Sequence, residues 1–192
     1  MGVKLSELLR IGPEVTALPA VFHFDRWFGM QGPGGQSTQL LTSGTAYWCF
    51  LGYVIRAGVF PYLNLHVSTA GAGAQTAEVA IASTPISPNR ASQSLTKIVA
   101  TGTVDDLTTT GVKRNTSAFT AIVPVGPAWA GIRTAMATTQ PTFNAFNRDF
   151  ARGNGFTTAA AGVLTAAGPW TGALIAATSG TAEFPVMWGS IE

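Results

Sequence analysis

Residue types that do chemistry are few in this chain and stand apart from one another. The 192 residues include two histidines (His23 and His66), one cysteine (Cys49) and nine carboxylates. A zinc centre needs three or four convergent His, Cys, Asp or Glu ligands. Neither histidine has a second ligand type at metal spacing, so no metal site is expected. Cys49 sits within Tyr47-Trp48-Cys49-Phe50-Leu51, the setting of a buried, inert thiol rather than a nucleophile, and a lone cysteine excludes an intrachain disulfide. No G-x-S-x-G elbow and no G-x-x-x-x-G-K-[ST] loop occurs, and Gly32-Pro33-Gly34-Gly35 lacks the lysine and helix that would give it phosphate-binding meaning. Adjacent Asp105 and Asp106 would point to opposite faces of a strand, whereas a glycosidase needs two carboxylates facing across a cleft. They are read as turn formers. Asp25-Arg26 and Arg148-Asp149 are read as surface or interface ion pairs, worth about 0–1 kcal/mol each if exposed. The expectation is a protein that is not an enzyme and carries no cofactor.

The aromatic residues are the more telling side chains. Val21–Phe28 is dense in them, and Phe22, Phe24, Arg26, Trp27 and Phe28 are candidate interface residues, because Trp, Phe and Arg anchor protein interfaces. The other reading of the same run is an extra strand packed on the core. Phe143, Asn144, Phe146 and Asn147 are candidate glycan contacts, in a segment (Phe143–Arg152) read as a long loop with a short helical turn. Against that, aromatic side chains bury the most area and serve as core and subunit-interface anchors.

The elements that would carry these residues read as strands. In Ala57–Ile81, Tyr62, Asn64, His66 and Ser68 alternate with Leu63, Leu65, Val67 and Thr69, the period of a strand with one face on a core. Thr76–Ile81 alternates again beyond the small-residue turn Ala70–Ala74, and the two together predict a β-hairpin. His66 is read as a surface or interface residue. Tyr47–Ile55 is apolar on both faces, which predicts a central or covered strand. Further strands are expected over Leu95–Val104, Phe119–Val125, Trp129–Thr138, Leu174–Ala177 and Phe184–Trp188. Ser83–Arg90, with two prolines, is expected to be a loop. Short strands split by Gly/Pro turns, with no amphipathic helix alternating with them, give an all-β fold, a jelly-roll-like antiparallel β-sandwich. Residues 1–44 fall outside that rhythm and are expected to form an extended N-terminal arm, with a helical turn near Ser6–Arg10, docking on partner subunits. Residues 45–192 form the sandwich domain.

Charged residues are only 10% of the chain, against about 25% in ordinary globular domains. Hydrophobic residues are 46% and mean hydropathy is +0.28, so the chain has ample material for a core. No stretch approaches the ~20 consecutive apolar residues of a spanning helix, and no membrane insertion is expected. No signal-peptide pattern opens the sequence, so export by that route is not expected. The pI of about 9.0 reflects 11 basic against 9 acidic residues without a basic stripe, which argues against nucleic acid as a partner. So little charge on a folded chain implies a surface covered by copies of itself or by other subunits.

Leu63–Ser83 (LNLHVSTAGAGAQTAEVAIAS), Gly102–Lys113 (GTVDDLTTTGVK) and Gly126–Thr134 (GPAWAGIRT) together resemble a β-sandwich module of tailed-bacteriophage virion proteins, found in capsid-decoration, head-fibre and tail-fibre proteins. The resemblance covers less than half of the chain, and the tyrosine-tryptophan pair usual in such modules is Ala128-Trp129 here. It implies a virion building block with no catalytic residues. The expectation is a capsid decoration (cement) protein, assembled in the host cytoplasm and forming a homotrimer on the major capsid protein or other virion subunits. The alternative is a tail-associated fibre or adaptor protein whose distal loops bind a host-surface glycan.

Overall fold

The structure is a computed structural model and describes residues 27–29, 37–83, 92–101, 104–147, 163–167, 174–179 and 183–192. Phe22, Phe24, Arg26, His23, the helical turn near Ser6–Arg10, nearly all of the proline loop after Ser83 and the Arg148-Asp149 pair lie outside the described residues. The described strands are β1 (Trp27–Gly29), β2 (Ser37–Leu40), β3 (Thr45–Val54), β4 (Gly58–Val59), β5 (Leu63–Thr69), β6 (Gln75–Ser83), β7 (Ser92–Thr101) and β8 (Gly111–Arg114). They continue with β9 (Ile122–Val123), β10 (Gly126–Met136), β11 (Thr142–Asn147), β12 (Val163–Ala167), β13 (Leu174–Ser179), β14 (Glu183–Pro185) and β15 (Met187–Ser190). Every pairing is antiparallel.

Two layers result, and the all-β sandwich expected from the sequence is what the chain forms. One is a seven-stranded sheet in the order β1-β15-β5-β11-β14, with β2 added on β11 and β8 on β5. The other is a six-stranded sheet, β10-β3-β12-β13-β7-β6, curled until it closes. β4 and β9 form a small third pairing. Strands 27–29 and 37–40 fall within the span expected as an arm, and both pair inside the seven-stranded sheet.

β3 explains why a strand can be apolar on both faces. The Cys49 thiol meets main-chain atoms of Met187 on β15, so its side faces the flat sheet. By alternation Trp48 and Phe50 face the interior of the curled sheet. There Phe50 packs edge-on to Trp129, its partner across the β3–β10 ladder, at a centroid distance of 5.4 Å and an interplanar angle of 62°. The chain spaces these bulky rings with Ala80, Ala82 and Gly131 on the neighbouring register positions, which lets the strands close around them without overpacking. On the same face Arg133 Nε lies 3.3 Å from Glu78 Oε2, directly across the β10–β6 ladder. This is an ion pair whose alignment falls short of a hydrogen bond.

Leu63, Leu65 and Val67 of β5 are fully buried, and Tyr62, Asn64, His66 and Ser68 are half-buried on the opposite side, as the alternation predicts. The hairpin is not formed. β5 pairs with β15, β11 and β8, whereas β6 pairs with β10 and β7. Ala70–Ala74 carries the chain from one sheet to the other. Alternation reports which face of a strand is wet and carries no information about which strand lies beside it. This corner is pinned by the main chain: Gly71 N–H donates to Leu107 O at 2.9 Å, and Ala72 pairs with Thr139. Gln75 donates to Val104 O at 3.1 Å and accepts from Leu107 N–H at 2.8 Å. The corner and the 104–111 loop, both within the segments that carry the phage resemblance, are therefore tied together.

Candidate functional site

The polar face of β5 lies on the outer surface of the seven-stranded sheet, and register assembles its neighbours. Arg114 of β8 stands opposite Asn64, Val112 opposite His66, and Trp188 of β15 opposite Asn64 on the other side. Asn144 and Thr142 of β11, with Thr38 and Leu40 of β2, extend the same surface. Arg114 lays its guanidinium 4.3 Å from the centroid of the Tyr62 ring, a cation–π contact that holds both side chains flat. The Asn64 amide donates to Trp188 O at 3.2 Å, and Ser68 Oγ donates to Thr142 O at 3.0 Å. His66 keeps its Nδ1 buried with no hydrogen-bond partner. No two of these groups form a nucleophile–base pair; what the surface offers is aromatic faces, amides and one cation.

Tyr62 is placed by a buried asparagine that the sequence reading did not single out. Asn115 is fully buried beyond β8. Its Oδ1 accepts from Leu63 N–H at 2.7 Å, and its Nδ2 donates to Pro61 O at 2.9 Å and Ser117 O at 2.7 Å. Lys113, two residues earlier, turns inward opposite Leu65 and caps its stem by donating from Nζ to Thr109 Oγ1.

The glycan candidates divide. Phe143–Asn147 is a strand and not a loop: β11 sits in the middle of the sheet with β5, β14 and β2 as partners. Phe143 pairs with Val67 and is fully buried, so its ring has no surface to offer a sugar. Asn144 is half-buried on the outer face, and its main-chain carbonyl accepts from Val186 N–H. Phe146 and Asn147 take part in the pairing with β14. Of the interface candidates, Trp27 pairs with Ser190 and Phe28 with Gly189.

Of the two carboxylates expected to be turn formers, Asp106 makes the local turn bonds, whereas Asp105 reaches across to β8. Asp106 accepts from Thr108 N–H at 2.8 Å and from the Thr108 hydroxyl at 2.7 Å, and these bonds hold its carboxyl below the ordinary range. Asp105 accepts from Arg114 N–H at 3.1 Å. Cys49 is buried, and desolvation pushes its thiol up to about 12, which removes the thiolate at neutral pH. Among the described residues no group of three or more His, Cys, Asp or Glu side chains comes together as a metal site.

Five large apolar side chains are exposed among the described residues: Leu40, Ile55, Val112, Ile122 and Val125. Leu40 lies on β2 and Val112 on β8, each the outermost strand of its side of the sheet. The other three lie around β9 and the adjoining ends of β3 and β10. No protein-family model and no curated protein matches the chain.

Proposed function

We propose that this protein is a structural subunit of a tailed-bacteriophage particle, a capsid decoration protein that acts by burying surface across subunit joints. One observation carries the reading: the outermost strand β2 (Ser37–Leu40) carries no charged residue and bears an exposed Leu40 in a chain with 10% charged residues. Outermost strands of free-standing proteins are usually blunted with charge or proline to prevent edge-to-edge association; apolar side chains there suit a surface that is covered on assembly. The resemblance of Leu63–Ser83 and Gly102–Lys113 to virion modules supplies the setting, with homotrimers on the major capsid protein. A standard interface of ~1,600 Å² repeated over many copies gives an assembly strength that no single contact has. Residues 1–26 would be the arm that reaches neighbouring shell subunits.

The test is the position of the protein in an electron-microscopy map of the phage that encodes it. Density on the icosahedral shell supports decoration, density at the neck or tail tip supports the fibre or adaptor reading, and absence from the particle refutes both. Deletion of residues 1–26 should abolish shell attachment and leave the sandwich folded. A cut beyond Trp27 would remove β1 from its pairing with β15 and confuse attachment with unfolding.

A second reading has its own observation. Tyr62 under Arg114, with Asn64, Asn144 and Trp188 on one sheet face, suits a glycan, which binds through ring stacking and amide hydrogen bonds. Binding on a glycan array that is lost in Tyr62→Ala would support it; no binding to any glycan or host cell would refute it.

A further inference from the structure

Arg114 stands exposed on the outer face of the seven-stranded sheet with no acid to hold it. The described strands of that sheet carry two fixed cations, Lys113 and Arg114, and one acidic residue, Glu183. Lys113 turns inward to Thr109, and Glu183 lies on β14, with β11 and β5 between it and β8. Asp105 flanks β8, but its carboxylate accepts from the Arg114 main-chain N–H, and no carboxylate of the described residues forms an ion pair with the guanidinium. What the guanidinium meets is the ring face of Tyr62, 4.3 Å from its centroid. A contact through the ring face leaves the N–H donors unspent. The fork is held in place and keeps its hydrogen bonds for something outside the protein.

Register sets the groups around it. Asn64 lies between Arg114 on β8 and Trp188 on β15, so cation and indole stand two strand spacings apart, about 10 Å. Asn64 spends its Nδ2 on Trp188 O, which leaves Oδ1 to accept from a hydroxyl. Val112, exposed and two residues before Arg114 on the same strand, adds an apolar contact beside the cation.

We propose that this face takes an acidic glycan, one whose sugar carries a carboxylate, and that Arg114 is the residue that selects it. The proposal rests on the glycan reading above and narrows it to one chemical class. A guanidinium fork matches a carboxylate with two parallel N–H···O bonds. A neutral sugar would find one face of Tyr62 already covered and would give the fork no charge to meet. A single-stranded nucleic acid would need a groove of cations tracking its phosphates, and on this face Arg114 stands alone among the described residues. The span of about 10 Å from Arg114 to Trp188 is too long for a small carboxylate ion and suits a disaccharide. Its acid would lie on the guanidinium and the C–H face of its second ring on the indole.

The test is a glycan array read with the fluorescently labelled full chain. The array carries neutral glycans, uronic-acid glycans and the methyl esters of the same uronic acids. The free acids should bind, and esterification, which keeps the shape of the sugar and removes its charge, should weaken binding at least about tenfold. Arg114→Gln, at an exposed position, should cause a comparable loss with an unchanged thermal midpoint. Arg114→Lys should recover only part of it, because a point charge replaces a fork. Esters or neutral glycans bound as well as the free acids would overturn this inference and leave the glycan reading standing. Acid binding untouched by Arg114→Gln would also overturn it, by placing the site elsewhere. No binding to any glycan would refute the glycan reading and this inference with it.

Discussion

Replacing Asn115 should measure how much of this sandwich is held by one buried amide. The side chain is fully buried and makes three hydrogen bonds, to Leu63 N–H, Pro61 O and Ser117 O. They differ in what their loss leaves behind. Pro61 O also accepts from Phe119 N–H at 2.9 Å, so it keeps a partner. Ser117 is exposed, so its carbonyl has water within reach. Leu63 is fully buried, and its N–H is orphaned, at about 1–3 kcal/mol. Adding about 1 kcal/mol for the remaining bonds and a small cavity, Asn115→Ala should lose about 2–4 kcal/mol, a large fraction of the ~5–15 kcal/mol of a typical domain. Asn115→Asp tests the direction of the bonds. Its carboxylate still accepts from Leu63 N–H but faces two carbonyl oxygens to which it cannot donate. Burial and those oxygens raise its folded pKa above the unfolded value of about 3.9. Stability contributed by the protonated form is therefore full below about pH 4 and lost as pH rises through the folded value. Urea unfolding followed by tryptophan fluorescence gives both numbers, the m value showing whether the transition stays two-state. A loss under about 1 kcal/mol for Asn115→Ala, or an Asn115→Asp deficit that does not shrink on acidification, would refute the account.

Two further outcomes follow from local geometry. Gly73 has φ +86°, and a Cβ there would lie 2.8 Å from Thr138 Oγ1 and 3.0 Å from both Thr138 N and Ala137 Cβ; Gly44 has φ +75° in open space. Gly44→Ala should therefore show only the left-handed penalty of about 1–2 kcal/mol, and Gly73→Ala clearly more, in the same urea assay; equal losses would mean the corner yields. Cys49 should leave a signature at alkaline pH. With the folded thiol at about 12 and its ordinary value near 9.0, the unfolded chain loses this proton first. The thiol's contribution is complete below about pH 9 and declines above it at about 1.4 kcal/mol per pH unit. Cys49→Ala should flatten the fall in stability by that slope, whereas Tyr53, whose phenol burial also raises, contributes equally to both proteins. Parallel stability curves for the two would contradict the burial of the thiol.

What the sequence made legible is the exposure of strands, because side-chain period is local. The alternation from Tyr62 to Thr69 and the doubly apolar run around Trp48 both mapped onto the faces they indicated. Which strand lies beside which was not legible, because Ala70–Ala74 looks the same as a hairpin turn or as a crossing between layers. β11 shows how composition can outweigh period. Phe143-Asn144-Ala145 alternates buried, half-buried, buried, yet asparagine is a strong turn former, and that pointed to a loop. β12 went unnoticed because VLTAA carries little side-chain signal amid alanine and glycine. The outer sheet surface could not be read at all, since Tyr62 meets Arg114 and Asn64 meets Trp188 through pairings between distant segments.

The position of β15 bears on when this protein can fold. This strand is the last of the fifteen described strands, yet it lies between β1 and β5 and is the only described partner of β1. A chain emerging from the ribosome therefore holds two open strand edges, about 160 and about 125 residues downstream of their own synthesis, until Met187–Ser190 arrives. Leu65 of β5 also lacks its cross-strand neighbour Met187 until then. The pairings of β15 with β1 and β5 are long-range, of the kind that are slow to form. Crowding of nascent chains, or a cut that removes 187–190, would expose those edges to one another, so the same strand that completes the monomer guards it against indiscriminate association.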